Sequence, residues 1–297
     1  MLIEGKNIAI FLHNRPFFGA YLVQIPFLVM LRKYYPDANL VGVSKNKNAI
    51  LLVNSGFLDT LEVVEKREQF QLLKKYNFDA GFNLRPSSIA VAFQMLLLKI
   101  PYRVGFKKFG AFYTKSVPLD LTVYRANLFL KLLNVEDVSS IAPYFKENFS
   151  YNDDFSNGVL LAPGAGGEEK KWPIEKYILL ANRFIKNGED KIFFIIGPQE
   201  EKERELLEKK GFKVIVNLDL NSLISLILSC KIFISNDCGP SHVAHILGVN
   251  QIVLFNEFLP EWFLKRNNSK YISSIHGLAS INVEEVIEVA NCIINDN

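Results

Sequence analysis

Residues 236–245, NDCGPSHVAH, crowd a carboxylate, a thiol and two imidazoles between a run of strand formers at 232–235 and an apolar segment that closes at Gly248. Strand formers without polar alternation mark a strand covered on both faces. Pro240 suits the first turn of a helix, where its missing N–H has no partner to lose, and Gly248 suits a left-handed cap. The order is therefore strand, polar loop, helix. A helix N-terminus offers unpaired N–H groups and partial positive charge, which suits a phosphate, and Asp237, Gly239 and His242 stand beside it. Cys238 at that end admits two readings, a thiolate with depressed pKa or a small residue chosen for fit.

Two further loops carry matching chemistry. Residues 163–173, PGAGGEEKKWP, join a glycine-rich turn, Gly164-Ala165-Gly166, to Lys170 just before a helix opened by Trp172-Pro173. Backbone amides and an ammonium there suit a diphosphate. Residues 197–201 add Glu200 and Glu201. Three such loops act together only if they leave the carboxyl ends of strands in one parallel sheet.

The surrounding pattern supplies that sheet. Predicted strands at 159–162, 192–196, 213–216, 232–235 and 251–254 alternate with helices at 173–186, 200–210, 222–228 and from about 240, and Asn282 and Glu285 are spaced as a capping box for a last helix at 283–294. The first half alternates too, with strands at 7–12, 40–43, 61–64, 79–83 and 102–104 and helices at 21–34, 46–54, 67–76, 89–98 and 122–133. Pro26 lies early enough in its helix to be tolerated or to bend it. Periodicity fades over 135–157, which places a linker there and predicts an α/β protein of two Rossmann-like parallel-sheet domains, 1–150 and 151–297. The last helix is free to pack back on the first domain.

Composition narrows the function classes. With 49% hydrophobic residues and 24 Phe in 297 residues, large cores are available, yet no apolar run approaches the roughly 18 residues that span a bilayer. The opening MLIEGKNIAIFLHN carries an early glutamate and no small-residue cleavage site, so a cytoplasmic protein is expected. Cys230, Cys238 and Cys292 form neither a CxxC pair nor an even set, which argues against disulfides and zinc. A net charge of +3 is too small to indicate nucleic acid. No GxGxxG follows a predicted strand, which disfavours an NAD dehydrogenase. No DxD spacing suggests a bound divalent metal. Residues 106–115, FKKFGAFYTK, interleave aromatic and basic groups; with Arg103, Lys107 and Lys108 they are expected to meet acidic phosphates or a membrane surface, a solvated loop being the alternative.

The ordered set PGA…KKWP, IIGPQEE and NSLISLILSCKIFISNDCGPSHVAHILGVNQIVLF resembles the lipopolysaccharide heptosyltransferase family, glycosyltransferase family nine, over the whole second domain. The first domain matches more loosely, through Pro26, YPDA at 35–38, and FDAGFNLRPS leading to YRVGF at 102–106. The resemblance implies the GT-B architecture, two facing domains with the nucleotide-sugar donor on the C-terminal one and the acceptor on the N-terminal one. By carry-over, Lys170 would contact the donor phosphates, Glu200 or Glu201 would meet the nucleoside, Asp237, Gly239 and His242 would hold diphosphate and sugar, and Gly164, Ala165, Gly166 and Cys238 would line the donor. The implied donor is ADP-heptose, and the implied acceptor an inner lipopolysaccharide core at the cytoplasmic face of the inner membrane, reached without a cofactor. The implied reaction inverts the anomeric centre, with Lys170 and the helix near Pro240 stabilising the leaving diphosphate in place of a metal.

Two positions depart from the family. Its members usually carry a glycine-aspartate pair after the first strand, the aspartate acting as base; here the pair is Gly19-Ala20, and alanine accepts no proton. His13, at the end of the first strand, is the substitute the sequence offers. Cys238 stands where the family usually has threonine or serine. These departures keep two other readings open, a GT-B enzyme of another nucleotide sugar and a catalytically silent nucleotide-sugar-binding protein.

Overall fold

The structure, a computed structural model, describes residues 7–13, 15, 17–64 and 69–295. The chain divides into two compact units, Met1–Ile141 and Ala142–Asn297, so the division falls inside the polar stretch where a linker is predicted. In the first unit the strands are β1 (Asn7–Phe11), β2 (Asn39–Ser44), β3 (Thr60–Val63), β4 (Ala80–Asn83), β5 (Tyr102–Phe106) and β6 (Lys115–Val117). They form one sheet in the order β3-β2-β1-β4-β5-β6. The second unit contains β7 (Val159–Ala162), β8 (Ile192–Ile196), β9 (Lys213–Val216), β10 (Ile232–Asn236), β11 (Gln251–Phe255) and β12 (Ser269–Ser273), in the order β12-β11-β10-β7-β8-β9. All the named pairings are parallel.

Both units therefore follow one Rossmann-like plan. The direction of winding reverses between β1 and β4 and again between β7 and β10, and at such a reversal the two following loops part and leave a crevice beyond the strand ends. Register fixes where those loops start: Ile232 lies opposite Val159 and Ser235 opposite Ala162, so β7 and β10 end side by side. Every residue of β7, β8, β10 and β11 is buried. That agrees with the uninterrupted apolar runs of the sequence, since helices cover both faces.

Several elements differ from the sequence prediction. The expected helix at 21–34 is two helices, Phe18–Leu22 and Ile25–Tyr34. Pro26 has no N–H to bond Leu22 and its ring crowds that carbonyl, so the chain turns at Val23 and restarts with proline in the first turn. Buried Gln24 stitches the break: its side-chain nitrogen Nε2 donates to the Ala20 carbonyl at 2.7 Å and its Oε1 accepts the His13 N–H at 2.8 Å. The sixth strand of each sheet, β6 and β12, is unpredicted. Both are edge strands paired on one side, with the polar sequences KSV and SKYIS and little apolar signal. Within the expected linker lies a helix, Ala142–Asn148, anchored by buried Phe145. The predicted helix at 67–76 begins outside the described residues, and its described part is Gln69–Lys74. The last helix, Val283–Asn295, buries Val286, Ala290 and Ile293 in the core that also holds Tyr177, Leu180 and Phe184, so its apolar face packs within the second unit.

Candidate active site

The β7/β10 reversal gathers most of the predicted chemistry. Asn236, the fully buried last residue of β10, organises it. Its Oδ1 accepts the Trp172 backbone N–H at 3.1 Å and the Tyr177 hydroxyl at 3.1 Å, while its Nδ2 donates to the Pro163 carbonyl at 2.6 Å. Both ends of the glycine-rich loop, Pro163 and Trp172, are thereby tied to β10. The Trp172 ring is buried edge-on to Tyr177, with centroids 5.0 Å apart, and its Nε1 donates to the Ile281 carbonyl at 3.2 Å.

From this fixed base the loop carries Lys170 to Asp237, with Nζ and Oδ2 2.9 Å apart. The Lys170 side chain remains 46% exposed, whereas the Asp237 side chain is 18% exposed. A carboxylate held by the fold thus aims an ammonium that still meets solvent. Directly after Asp237 the helix Gly239–Leu247 begins, with Cys238 as its N-cap residue, Pro240 in its first turn and Gly248 capping it at φ +68°. The predicted strand, polar loop and helix are all present, and the helix N-terminus stands at the same strand end as Lys170.

Of the two glutamates, only Glu200 joins the glycine loop. It is 4% exposed, and a Cβ on Gly164 would come within 3.1 Å of its carboxylate, one on Gly197 within 2.6 Å. Glycine at these two positions makes room for the acid. Lys171 lies 3.5 Å from Glu200, 3.6 Å from Glu203 and 2.6 Å from Glu168. Burial would lower the Lys171 pKa, but the three carboxylates outweigh it and raise it. Glu201 instead opens the helix Glu201–Lys209 and pairs with Arg204 at the surface, 3.3 Å away. Asn236 and Lys171 were passed over by motif reasoning. Polar Ser235 and Asn236 ending an otherwise apolar buried strand are the available signal for Asn236, and nothing in the spacing announces the Lys171 cluster.

The thiolate reading of Cys238 is overturned. Burial pushes its thiol up to about 12, with Asp237 and Glu200 adding to the rise, although the Ser241 backbone and the Ser235 side chain oppose it. The helix end does not offset the partial burial of this half-buried residue. Burial likewise holds the His242 pKa down to about 4, Asp237 acting the other way and Lys170 reinforcing the drop. His242 is therefore a neutral imidazole at neutral pH, 5.7 Å from the Trp262 ring between centroids. His245 is depressed further by burial, His242 and Arg266.

In the first unit, His13 follows β1 and Arg85 follows β4, at the other reversal point. Arg85 is buried and donates from Nε to the Leu12 carbonyl at 2.7 Å and from Nη2 to the Val43 carbonyl at 3.0 Å. Burial, then Arg125, Arg15 and Arg85, hold His13 down at about 4. Its Nδ1 has no hydrogen-bond partner among the described residues. Ala20 is 4% exposed, inside the helix Phe18–Leu22. Arg103 donates to the Phe112 and Ile100 carbonyls at 2.9 and 2.6 Å, which fastens the turn Lys107–Phe112; Lys107 and Lys108 on that turn are exposed. Among the described residues no group of three or more His, Cys, Asp or Glu is placed to hold a metal ion.

The sequence model of glycosyltransferase family 9 (heptosyltransferase) matches residues 67–287. A lipooligosaccharide heptosyltransferase 2 of Haemophilus influenzae is 26% identical over 273 residues, 78% of this chain and 78% of that protein. The crystal structure of a family 9 glycosyl transferase from Veillonella parvula superposes with a TM-score of 0.70 at 22% identity, covering 100% of this chain and 99% of that one. The E. coli heptosyltransferase WaaC with ADP-2-deoxy-2-fluoro heptose superposes at 0.73 with 16% identity, covering 96% and 99%. At those identities the two structures speak for the fold alone, the GT-B pairing of Rossmann-like units.

Proposed function

Because the chain belongs to glycosyltransferase family 9, the heptosyltransferases, we propose that this glycosyltransferase moves a heptose from ADP-heptose to a lipopolysaccharide core or related glycan, with inversion and without a metal. The observation that carries the reading is the Lys170–Asp237 pair beside the N-terminus of the helix Gly239–Leu247. As the bond from the anomeric carbon to the diphosphate breaks, negative charge grows on the leaving oxygens. An exposed ammonium and unpaired helix amides, already positioned, stabilise that charge without reorganising. Asp237 holds the Lys170 side chain, neutral His242 offers a hydrogen bond without added charge, and buried Glu200 faces the loop where the nucleoside is assigned. The ADP-heptose analogue in the similar E. coli structure supports the choice of donor.

The acceptor hydroxyl attacks the anomeric carbon from the opposite face and must lose its proton. Ala20 cannot take it. His13 is assigned the role: burial and the neighbouring arginines keep its imidazole neutral, and its Nδ1 has no hydrogen-bond partner among the described residues. The reaction is assigned to the cytoplasmic face of the inner membrane.

A donor panel tests the reading, with ADP-heptose, ADP-hexoses and UDP sugars offered alongside a lipid-free core oligosaccharide, and the product anomer read by NMR. ADP-heptose alone should support transfer, with the configuration inverted and the rate unchanged by a chelator. Lys170→Ala should lower kcat about a hundredfold or more, on the scale of other preorganised charge stabilisers. Near-wild-type turnover in Lys170→Ala would remove the proposed role. Donor binding without transfer would mark the silent nucleotide-sugar-binding protein, and His13→Ala with an unchanged rate would dismiss His13 as base.

A further inference from the structure

The segment between β4 and β6 has an unusual charge balance: from Ala80 to Leu119 the sequence contains no Asp or Glu, while Arg85, Lys99, Arg103, Lys107, Lys108 and Lys115 are basic. The helix in it, Ile89–Leu97, is IAVAFQMLL, without a single charged side chain. Val91, Ala92 and Met95 face the core. The opposite face is also apolar, with Ile89 52%, Phe93 49%, Leu96 42% and Leu97 49% exposed. These four recur at helical spacing, so they form one stripe in solvent. Such a stripe is costly unless something apolar covers it.

The aromatic and basic turn at Lys107–Phe112 completes the surface. Phe112 meets Phe93 edge-on, with centroids 6.3 Å apart, and the Arg103 hydrogen bonds to the Phe112 and Ile100 carbonyls fasten the turn beside the helix end. Lys99, Lys107 and Lys108 are exposed, with the Lys108 ammonium 5.7 Å from the Phe109 ring centroid. An apolar stripe flanked by lysines, with no acid in the segment, is complementary to a layer whose surface is anionic and whose interior is hydrocarbon. A soluble partner of either chemistry alone would leave the lysines or the stripe unanswered. At about 1.5 Å per residue, this nine-residue helix is far shorter than a bilayer core of about 30 Å, so it would lie on the surface and not span it.

We propose that Ile89, Phe93, Leu96 and Leu97, flanked by Lys99, Lys107 and Lys108, dock the first unit onto an anionic phospholipid bilayer. The proposal deepens the functional reading, which brings the enzyme to a lipid-borne acceptor. It is tested without donor or acceptor, so its failure and a failure of heptose transfer are separate results.

Flotation of the full chain with vesicles is the experiment. Wild type should bind phosphatidylglycerol-containing vesicles at least tenfold more tightly than phosphatidylcholine vesicles, and high salt should reduce the difference. Phe93→Asp/Leu97→Asp should lose at least tenfold on the anionic vesicles. Lys107→Ala/Lys108→Ala should lose roughly 25-fold there, about fivefold per lysine, with little change on phosphatidylcholine. In a Phe93→Trp variant, which keeps the stripe apolar and does not depend on a disrupted fold, the emission should shift to the blue when anionic vesicles are added. Wild type that stays unbound, a Phe93→Trp spectrum indifferent to vesicles, or a Phe93→Asp/Leu97→Asp variant that binds like wild type would overturn the proposal. So would loss of a dimer in that variant with vesicle binding intact, since the stripe would then cover a second copy of the chain.

Discussion

Replacing Asn236 should damage stability and donor binding together. Asn236→Ala leaves the buried Trp172 N–H without its acceptor at 3.1 Å and the Pro163 carbonyl without its donor at 2.6 Å. The Tyr177 hydroxyl suffers less, because it can turn wholly to the Ala162 carbonyl, 3.4 Å away. Two orphaned buried groups at about 1–3 kcal/mol each give a loss of about 2–6 kcal/mol, a large part of the 5–15 kcal/mol that holds a typical domain. The glycine-rich loop is tied down at these two points, so Lys170 loses its fixed approach to Asp237, and the Kd for ADP should rise about tenfold. Urea unfolding and calorimetric titration with ADP measure the two effects. Asn236→Asp sharpens the test: it keeps the acceptor for Trp172, but an ionised carboxylate faces the Pro163 carbonyl, which raises its pKa in the folded state. Its deficit relative to wild type should therefore shrink as pH falls, when the protonated carboxyl can donate to Pro163. A loss below about 1 kcal/mol in Asn236→Ala with unchanged ADP affinity would refute the reasoning.

Other outcomes follow from the same site and its supports. Because burial holds His242 at about 4 against about 6.5 when unfolded, the unfolded chain gains the proton first as pH drops; stability is intact above pH 6.5 and falls by about 2 kcal/mol at pH 5 from this residue. Asn in its place should flatten that part of the slope in urea midpoints measured at pH 8 and pH 5, and an unaltered slope would contradict the assignment. With its thiol at about 12, Cys238 is thiolate in about one molecule in ten thousand at pH 8, so iodoacetamide should label exposed Cys292 well before it; peptide mass spectrometry showing Cys238 first would restore the thiolate reading. In the first unit, a Cβ on Gly105 would lie 2.2 Å from the Tyr113 ring, so Gly105→Ala should cost about 1–3 kcal/mol in thermal or urea unfolding. Pairing that change with Tyr113→Ala should relieve the clash, though it also removes the Tyr113 hydroxyl that accepts from Asn83 at 2.7 Å.

The sequence by itself determined the alternation of buried strands and helices, the two-unit plan and the loop set holding Lys170, Glu200, Asp237 and His242. These are carried by features that act over a few residues: runs of strand formers, a proline in a first turn, a glycine at a left-handed cap. Its silences have the same origin. Edge strands β6 and β12 satisfy only one side and show little apolar pattern, and the break before Pro26 needed the Gln24 side chain to close it. Only the tertiary structure packed Glu200, and not Glu201, against the glycine loop, made Asn236 the tie between β10 and that loop, and raised the Cys238 thiol pKa, which the sequence left open between two readings. Each of those outcomes depends on burial and on partners distant along the chain, 73 residues for Asn236 and Pro163 and 67 for Lys170 and Asp237. The apolar stripe of the helix Ile89–Leu97 belongs with them. Apart from Gln94 its sequence is apolar on every side, as a buried helix would be, and folding alone decided which half reached the core and which was left for another apolar phase.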